Sequence, residues 1–229
     1  MLHLKENNII KKNRPYILLS CAMTIDGKIS TYTGDTDISD EQDWKEVHKL
    51  RIECDAIMVG KNTVLKDNPK LHIKFYPPQR LTRIVVDSNF SIPLKSNVIT
   101  FEPEKYPTII AITNNAPTSK ISEVKSPHIT FINTGFEKQV NLKKLMEILH
   151  QMGIKKILLE GGGTLNWSML SCSFVDEMRI FISPIIVGGE KAVTLVEGKG
   201  VEKMAKGFKF KLDGIEKRES YIILRYTKA

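Results

Sequence analysis

Short unbroken apolar runs punctuate the first two thirds of the chain: YILLSCAM (16–23), AIMVG (56–60), RIVVD (83–87), TIIAIT (108–113), ITFI (129–132) and KILLE (156–160). Runs this short, continuous rather than alternating, predict strands covered on both faces, as in a mostly parallel sheet. Between them, Ser39 with Gln42 three positions on forms a capping box that predicts a helix start. Trp44, Val47, Leu50 and Cys54 then recur at helical spacing and predict its apolar stripe. A second helix is predicted with Asn141 as N-cap, an apolar face of Leu142, Leu145, Met146, Leu149 and Met152, and Gly153 at C′. Strand then helix, repeated, predicts an α/β domain with helices on both faces of the central sheet. After Asp176 the pattern changes: EMRIFISP, FKFKLDG and ESYIILRY have no long helix between them, and Asp213-Gly214 is a turn pair. These runs are expected to be antiparallel strands completing one edge of the sheet. Residues 1–14, polar and basic, read as a loose N-terminal arm. Nothing divides residues 15–229, which read as a single domain.

Composition narrows the class. Of 229 residues, 41% are hydrophobic and 26% charged, enough apolar side chain for a real core and against global disorder. Lys and Arg number 34 against 26 Asp and Glu, and the resulting +8 favours anionic partners such as phosphates. No apolar stretch reaches the roughly 18 residues of a membrane helix. The N-terminus lacks the apolar region of a signal peptide. A cytoplasmic protein without a membrane partner is expected. Cys21, Cys54 and Cys172 are distant, with no CxxC spacing, and read as buried reduced thiols. His48, His72, His128 and His150 show neither metal-ligand nor nucleophile-elbow pairing and read as surface or interface groups; no metal is expected. The lysines are scattered rather than gathered into a stripe with interleaved aromatics, so no nucleic-acid partner is expected.

Three motifs fall at strand ends, where ligands of α/β sheets bind. In KILLEGGGTLNWSML (156–170) a strand ends in Glu160, three glycines follow, and Thr164 opens a segment of helical spacing. Glycines there let backbone N–H groups approach a phosphate, and the helix N-terminus adds positive charge. A pyrophosphate cradle and a turn that merely reverses the chain both remain open readings. In VGKNTVLKDNPKL (59–71) Gly60 ends a strand, Thr63 offers a hydroxyl, and Asp67 precedes an Asn-Pro turn. MTIDGK (23–28) holds the common turn pair Asp26-Gly27. Arg51 lies close to the predicted apolar stripe, either reaching inward for an anion or snorkelling along a solvated edge.

MTIDGK, the polar loop ending in TDIS, HKLR, AIMVGKNTVLKDNPKL, RIVVDS and LLEGGGTLN, in this order and spacing, resemble the reductases of riboflavin biosynthesis. The likeness is to the stand-alone archaeal and fungal type acting on 2,5-diamino-6-ribosylamino-4(3H)-pyrimidinone 5′-phosphate, and to the reductase half of the bacterial bifunctional deaminase-reductase. It runs from about Pro15 to the C-terminus. The zinc signature of a deaminase half is absent. The resemblance implies a dihydrofolate-reductase-like fold, a homodimer, and NADPH (NADH being possible) as hydride donor to C1′ of the ribosylamino group, giving a ribitylamino product.

Carried onto this chain, the resemblance puts Thr63 and Asp67 at the nicotinamide-ribose end, Ser88 on the adenosine side, and Gly161, Gly162, Gly163, Thr164, Leu165 and Asn166 on the pyrophosphate. It puts Ser20, Met23, Thr24, Asp26, Thr36 and Glu160 on the substrate, with Arg51 and Lys74 on its phosphate. Bacterial members differ in having lysine at Ser20 and tryptophan where Thr36-Asp37-Ile38 stands. Glu160 first, then Asp67, are the candidates to assist the proton that reaches the ring oxygen as the ribosylamine opens. A cis Gly161-Gly162 peptide is a further implication. Two other readings stay open: a pteridine or dihydrofolate reductase on the same fold, and a non-catalytic nucleotide- or RNA-binding module.

Overall fold

The computed structural model describes residues 13–229. The arm expected over residues 1–14 lies outside them up to residue 12. Arg14, by contrast, is anchored: its guanidinium donates twice to the Asp176 carboxylate, each at 2.7 Å.

The predicted apolar runs form strands. In chain order the principal elements are β1 (Tyr16–Thr24), α1 (Glu41–Ile52), β2 (Ala56–Gly60), α2 (Lys61–Asp67), β3 (Thr82–Val86), α3 (Asn97–Thr100), β4 (Thr108–Ile112), α4 (Thr118–Glu123), β5 (Ile129–Asn133), α5 (Leu142–Gln151), β6 (Lys156–Gly161), α6 (Gly163–Ser171), β7 (Glu177–Ser183), β8 (Phe210–Lys217) and β9 (Ile222–Lys228). Among the described residues these strands make one sheet of order β5-β4-β3-β2-β6-β1-β7-β9-β8. Pairing is parallel from β5 through β7 and antiparallel at β7–β9 and β8–β9. The tail is therefore antiparallel only in part. β7 was expected among the antiparallel strands, yet it joins β1 in parallel because the connection through α6 crosses over the sheet. The Asp213-Gly214 pair is not the hairpin turn either. It lies inside β8 at a register shift between Leu212 and Gly214, while Arg218 N–H and Tyr221 O close the actual turn at 2.9 Å.

Both faces of the parallel strands are covered. On one, Leu19, Met58, Ile84, Ala111 and Leu159 pack against Leu145, Met146 and Leu149 of α5 and Leu165 and Met169 of α6. On the other, Ile57, Val59, Val85 and Ile110 pack against Val64 of α2, Val98 of α3 and the Leu71, Ile73 and Phe90 loops. α5 matches its predicted cap, since Asn141 Oδ1 accepts the Lys144 N–H at 3.0 Å; Met152 falls past the helix and is exposed.

α1 departs from prediction in a way that matters for the site. Its N-cap is Asp40, one residue later than expected: Asp40 Oδ1 accepts the Asp43 N–H at 2.7 Å, and Ser39 Oγ donates instead to Asp43 Oδ2 at 2.5 Å. Its buried residues are Asp43, Val47, His48 and Arg51, while Trp44 is partly exposed. A polar stripe, rotated from the apolar one, is what faces the sheet. Cys54 is buried and Cys21 half-buried, but Cys172 is exposed, contrary to the expectation of three buried thiols.

Candidate active site

Glu160 is set by a β-bulge. β6 pairs with β2 in register to Leu159 opposite Met58, and then Gly161 stands opposite Val59. Glu160 is the extra residue, and a bulge re-aims the side chain it carries. The carboxylate meets Arg51 of α1 in a two-pronged fork, Nε donating to Oε1 and Nη2 to Oε2, both at 2.8 Å. Arg51 is buried, so of its two readings the inward one holds, and the anion it meets is Glu160. A planar guanidinium matches a carboxylate this way and fixes its orientation.

Two histidines extend the cluster. Arg51 Nη1 donates to the His72 carbonyl at 2.8 Å and lies 3.4 Å from His48 Nε2. His48 Nδ1 accepts the Lys74 backbone N–H at 2.9 Å. Burial first, and the Arg51 charge next, push the His48 imidazole down to about 3, so it stays neutral, as an accepting Nδ1 requires. Burial likewise lowers His72. His48, expected at the surface, is thus a buried link. Arg51 and Lys74 stand on its two sides: Arg51 is engaged by Glu160, while Lys74 is exposed with its ammonium 5.2 Å from the Phe75 ring centroid.

Beyond Glu160 the strand runs into the glycine turn. The Gly161-Gly162 peptide is cis. Gly161 has φ +88°, and a Cβ there would sit 3.2 Å from the Asn166 amide, so the position suits glycine alone. The Gly162 N–H donates to Thr63 Oγ1 at 3.2 Å, which joins the two strand-end motifs. Asn166 is fully buried and its Nδ2 donates to Leu195 O at 2.9 Å, tying the segment around Leu195 over the start of α6.

Around this turn, at the C-terminal ends of the parallel strands, lies a cavity of about 280 Å³. Thr63, Asp67, Ser88, Gly162, Gly163, Thr164 and Leu165 all line it, as does Thr36, which was expected on the substrate. Gly161 and Asn166 are buried beside it rather than on its wall. Lys61 and Lys66 line it as well. Desolvation raises the Asp67 carboxyl above its ordinary range.

The other expected substrate residues do not line this cavity. Thr24 Oγ1 donates to Asp26 Oδ1 at 2.6 Å, and Asp26 Oδ2 accepts the Gly188 N–H at 2.7 Å, so this pair organises the loops after β1 and β7. The Thr24 hydroxyl, with the Gly188 amide after it, holds Asp26 down to about 2. Met23 is partly buried against the core cluster that includes residues of α5 and α6. Ser20 is buried and stands beside Arg179 in the β1–β7 register. Arg179 Nη2 donates to Asp43 Oδ1 at 2.6 Å, a second buried ion pair joining α1 to the sheet.

Residues 15–224 match the RibD C-terminal domain family. The chain belongs to that family. It is 44% identical over 218 residues to the 2,5-diamino-6-ribosylamino-4(3H)-pyrimidinone 5′-phosphate reductase of Methanothermobacter thermautotrophicus, covering 93% of this chain and 98% of that protein. The protein of the same name from Archaeoglobus fulgidus is 36% identical over 216 residues, 85% of this chain and 96% of that one. Among solved structures, Acinetobacter baumannii RibD aligns with a TM-score of 0.79 at 22% identity over 95% of this chain, and this chain spans only 59% of that longer one. The Saccharomyces cerevisiae riboflavin biosynthesis reductase Rib7 aligns with a TM-score of 0.71 at 23% identity over 95% of this chain and 91% of that one. At these identities the solved structures establish the fold, a dihydrofolate-reductase-like α/β arrangement with an antiparallel C-terminal edge.

In this member of the RibD C-terminal family several site-forming residues went unread in the sequence. Lys61 and Lys66 sat inside a quoted motif as spacers. Gln139 and Val140 reach the cavity from the loop before α5, and Val193 and Glu197 from the long connection after β7, where no motif marks them. Asp43–Arg179 had a usable signal, a single charge in the middle of the apolar strand EMRIFIS.

Proposed function

We propose that this reductase of the RibD C-terminal family uses NADPH to reduce the ribosylamino group of 2,5-diamino-6-ribosylamino-4(3H)-pyrimidinone 5′-phosphate to the ribitylamino product. One observation carries the reading: Glu160 is both the carboxylate gripped by Arg51 and the residue that precedes the glycine turn of the cavity. Substrate and cofactor meet there. The cavity suits a dinucleotide phosphate, with Gly162, Gly163 and the first turn of α6 for the pyrophosphate and Lys61 and Lys66 adding the cations that favour NADPH over NADH. Thr63 and Asp67 hold the nicotinamide-ribose end and Ser88 the adenosine side.

When bound, the cofactor supplies the hydride that reaches C1′. The chain must then steady the substrate and deliver one proton to the ring oxygen as the C1′–O4′ bond opens. Asp67, on the cavity wall with its carboxyl raised by desolvation, is the candidate for the proton. Glu160, with both oxygens accepting from Arg51, is the better group for stabilising positive charge at C1′ and its nitrogen. That reverses the order in which the two were ranked from sequence. Lys74 takes the substrate phosphate, and Arg51 acts chiefly by holding Glu160. Ser20, Thr24 and Asp26 form the substrate side around the end of β1, while Met23, on the opposite face, belongs to the core. A cytoplasmic homodimer belongs to the same proposal, and Leu212 and Ile215, exposed on the edge strand β8, are apolar surface that a second copy would cover.

The test is oxidation of NADPH by the purified protein, followed at the reduced cofactor's absorbance band. Turnover is expected with the pyrimidinone phosphate and not with dihydrofolate. The reverse pattern would move the protein to the pteridine reductases.

A further inference from the structure

Ser30 has been given no role above. It is 6% exposed, it lines the cavity, and among the described residues its Oγ has no hydrogen-bond partner. Buried hydroxyls are nearly always paired, and one left alone on a cavity wall points to a group supplied from outside the chain.

Topology says which part of a ligand that group belongs to. Ser30 follows β1, and its neighbour Ile29 donates its N–H to Val193 O at 2.8 Å in the segment after β7. Ser88 follows β3, and Gln139 and Val140 follow β5. Gly162 and Gly163 follow β6, which stands between β2 and β1 in the sheet. A dinucleotide with its pyrophosphate on the glycine turn and its adenosine by Ser88 has its other half beside that turn, flanked by Thr63, which accepts the Gly162 N–H, and by Ser30.

The chemistry of that half restricts the group further. Beyond the pyrophosphate and its ribose, the group of a nicotinamide dinucleotide that both donates and accepts is the neutral carboxamide, which is what a lone hydroxyl can pair with. We propose that Ser30 Oγ hydrogen-bonds the nicotinamide carboxamide and so orients the ring at the reacting end. This deepens the cofactor reading above and rests on it.

The test is a binding titration of the unsubstituted protein and of S30A, using the fluorescence of NADPH, and in parallel adenosine 2′,5′-bisphosphate, which lacks the nicotinamide half. S30A is expected to weaken NADPH by about tenfold, the size of one hydrogen bond, and to leave the bisphosphate unchanged. Because the hydroxyl has no partner in the free protein, S30A is expected not to lower the melting temperature without ligand. Unchanged NADPH affinity in S30A would overturn the inference, as would an equal loss for both ligands, which would mean a general disturbance of the cavity. Failure of the unsubstituted protein to bind NADPH would overturn the cofactor reading itself.

Discussion

Arg51 and Glu160 illustrate how one pair serves both folding and chemistry. Both are largely removed from water, so removing one partner leaves a buried charge uncompensated. R51M is expected to cost about 3 kcal/mol of unfolding free energy, measured by urea denaturation. E160Q keeps the shape but leaves Arg51 a single acceptor and sets an amide N–H against a guanidinium N–H. It is therefore expected to lose about 1–3 kcal/mol of stability and, in the folded enzyme, about 10²-fold in kcat with little change in KM, read from urea denaturation and steady-state kinetics. Wild-type kcat in E160Q would leave catalysis to positioning. His48 carries a separate prediction. It titrates near 6.5 when unfolded and near 3 when folded, so between those values the unfolded chain binds the extra proton. Stability is full above pH 6.5 and falls as pH drops toward 3. The slope is at most about 1.4 kcal/mol per pH unit, and H48Q is expected to flatten it in denaturation series from about pH 7 to about pH 4.

At the level of elements, the contact between α6 and the loop after β7 closes the cavity. A Cβ on Gly163 would lie 2.6 Å from Thr194 O and 2.8 Å from Glu197 Cγ, backbone and side chain that cannot both yield in place. G163A is expected to push that loop off the helix, to cost about 1–3 kcal/mol, and to weaken NADPH binding in the same titrations; unchanged stability and binding would mean the loop is free to shift. What could be read of the elements followed their physics. Buried parallel strands announce themselves as apolar runs, and the Asn141 cap and Gly153 stop of α5 are local chemistry. α1 misled because its buried side is filled by Asp43, His48 and Arg51, whose partners Arg179, Lys74 and Glu160 lie far away in sequence. Asp213-Gly214 misled because a bulge and a hairpin turn draw on the same residues, and only the β8–β9 register separates them.

Over the whole molecule, the +8 charge is not concentrated in one stripe, and its local expression at the cavity is Lys61 and Lys66. NADPH affinity is therefore expected to fall only modestly as salt is raised from about 50 to about 200 mM, whereas an RNA-binding protein making many phosphate contacts would lose about 10³-fold or more. A collapse of that size would favour the nucleic-acid reading. The candidate cavity was legible where it lay in strand-end motifs: seven of the nine residues expected around a cofactor line it, with Gly161 and Asn166 buried beside it. Its other wall comes from the connection after β7, which has neither periodicity nor motif and acquires its place by pairing with the segment after β1. The central claim is hydride transfer from a nicotinamide to C1′ of the ribosylamino group. Its most direct test is turnover with NADPH deuterated at the transferring position, followed by mass spectrometry of the pyrimidinone product. The account predicts a ribitylamino product carrying one deuterium at C1′. A reduced product without deuterium there, or deuterium on the pyrimidinone ring, would contradict it.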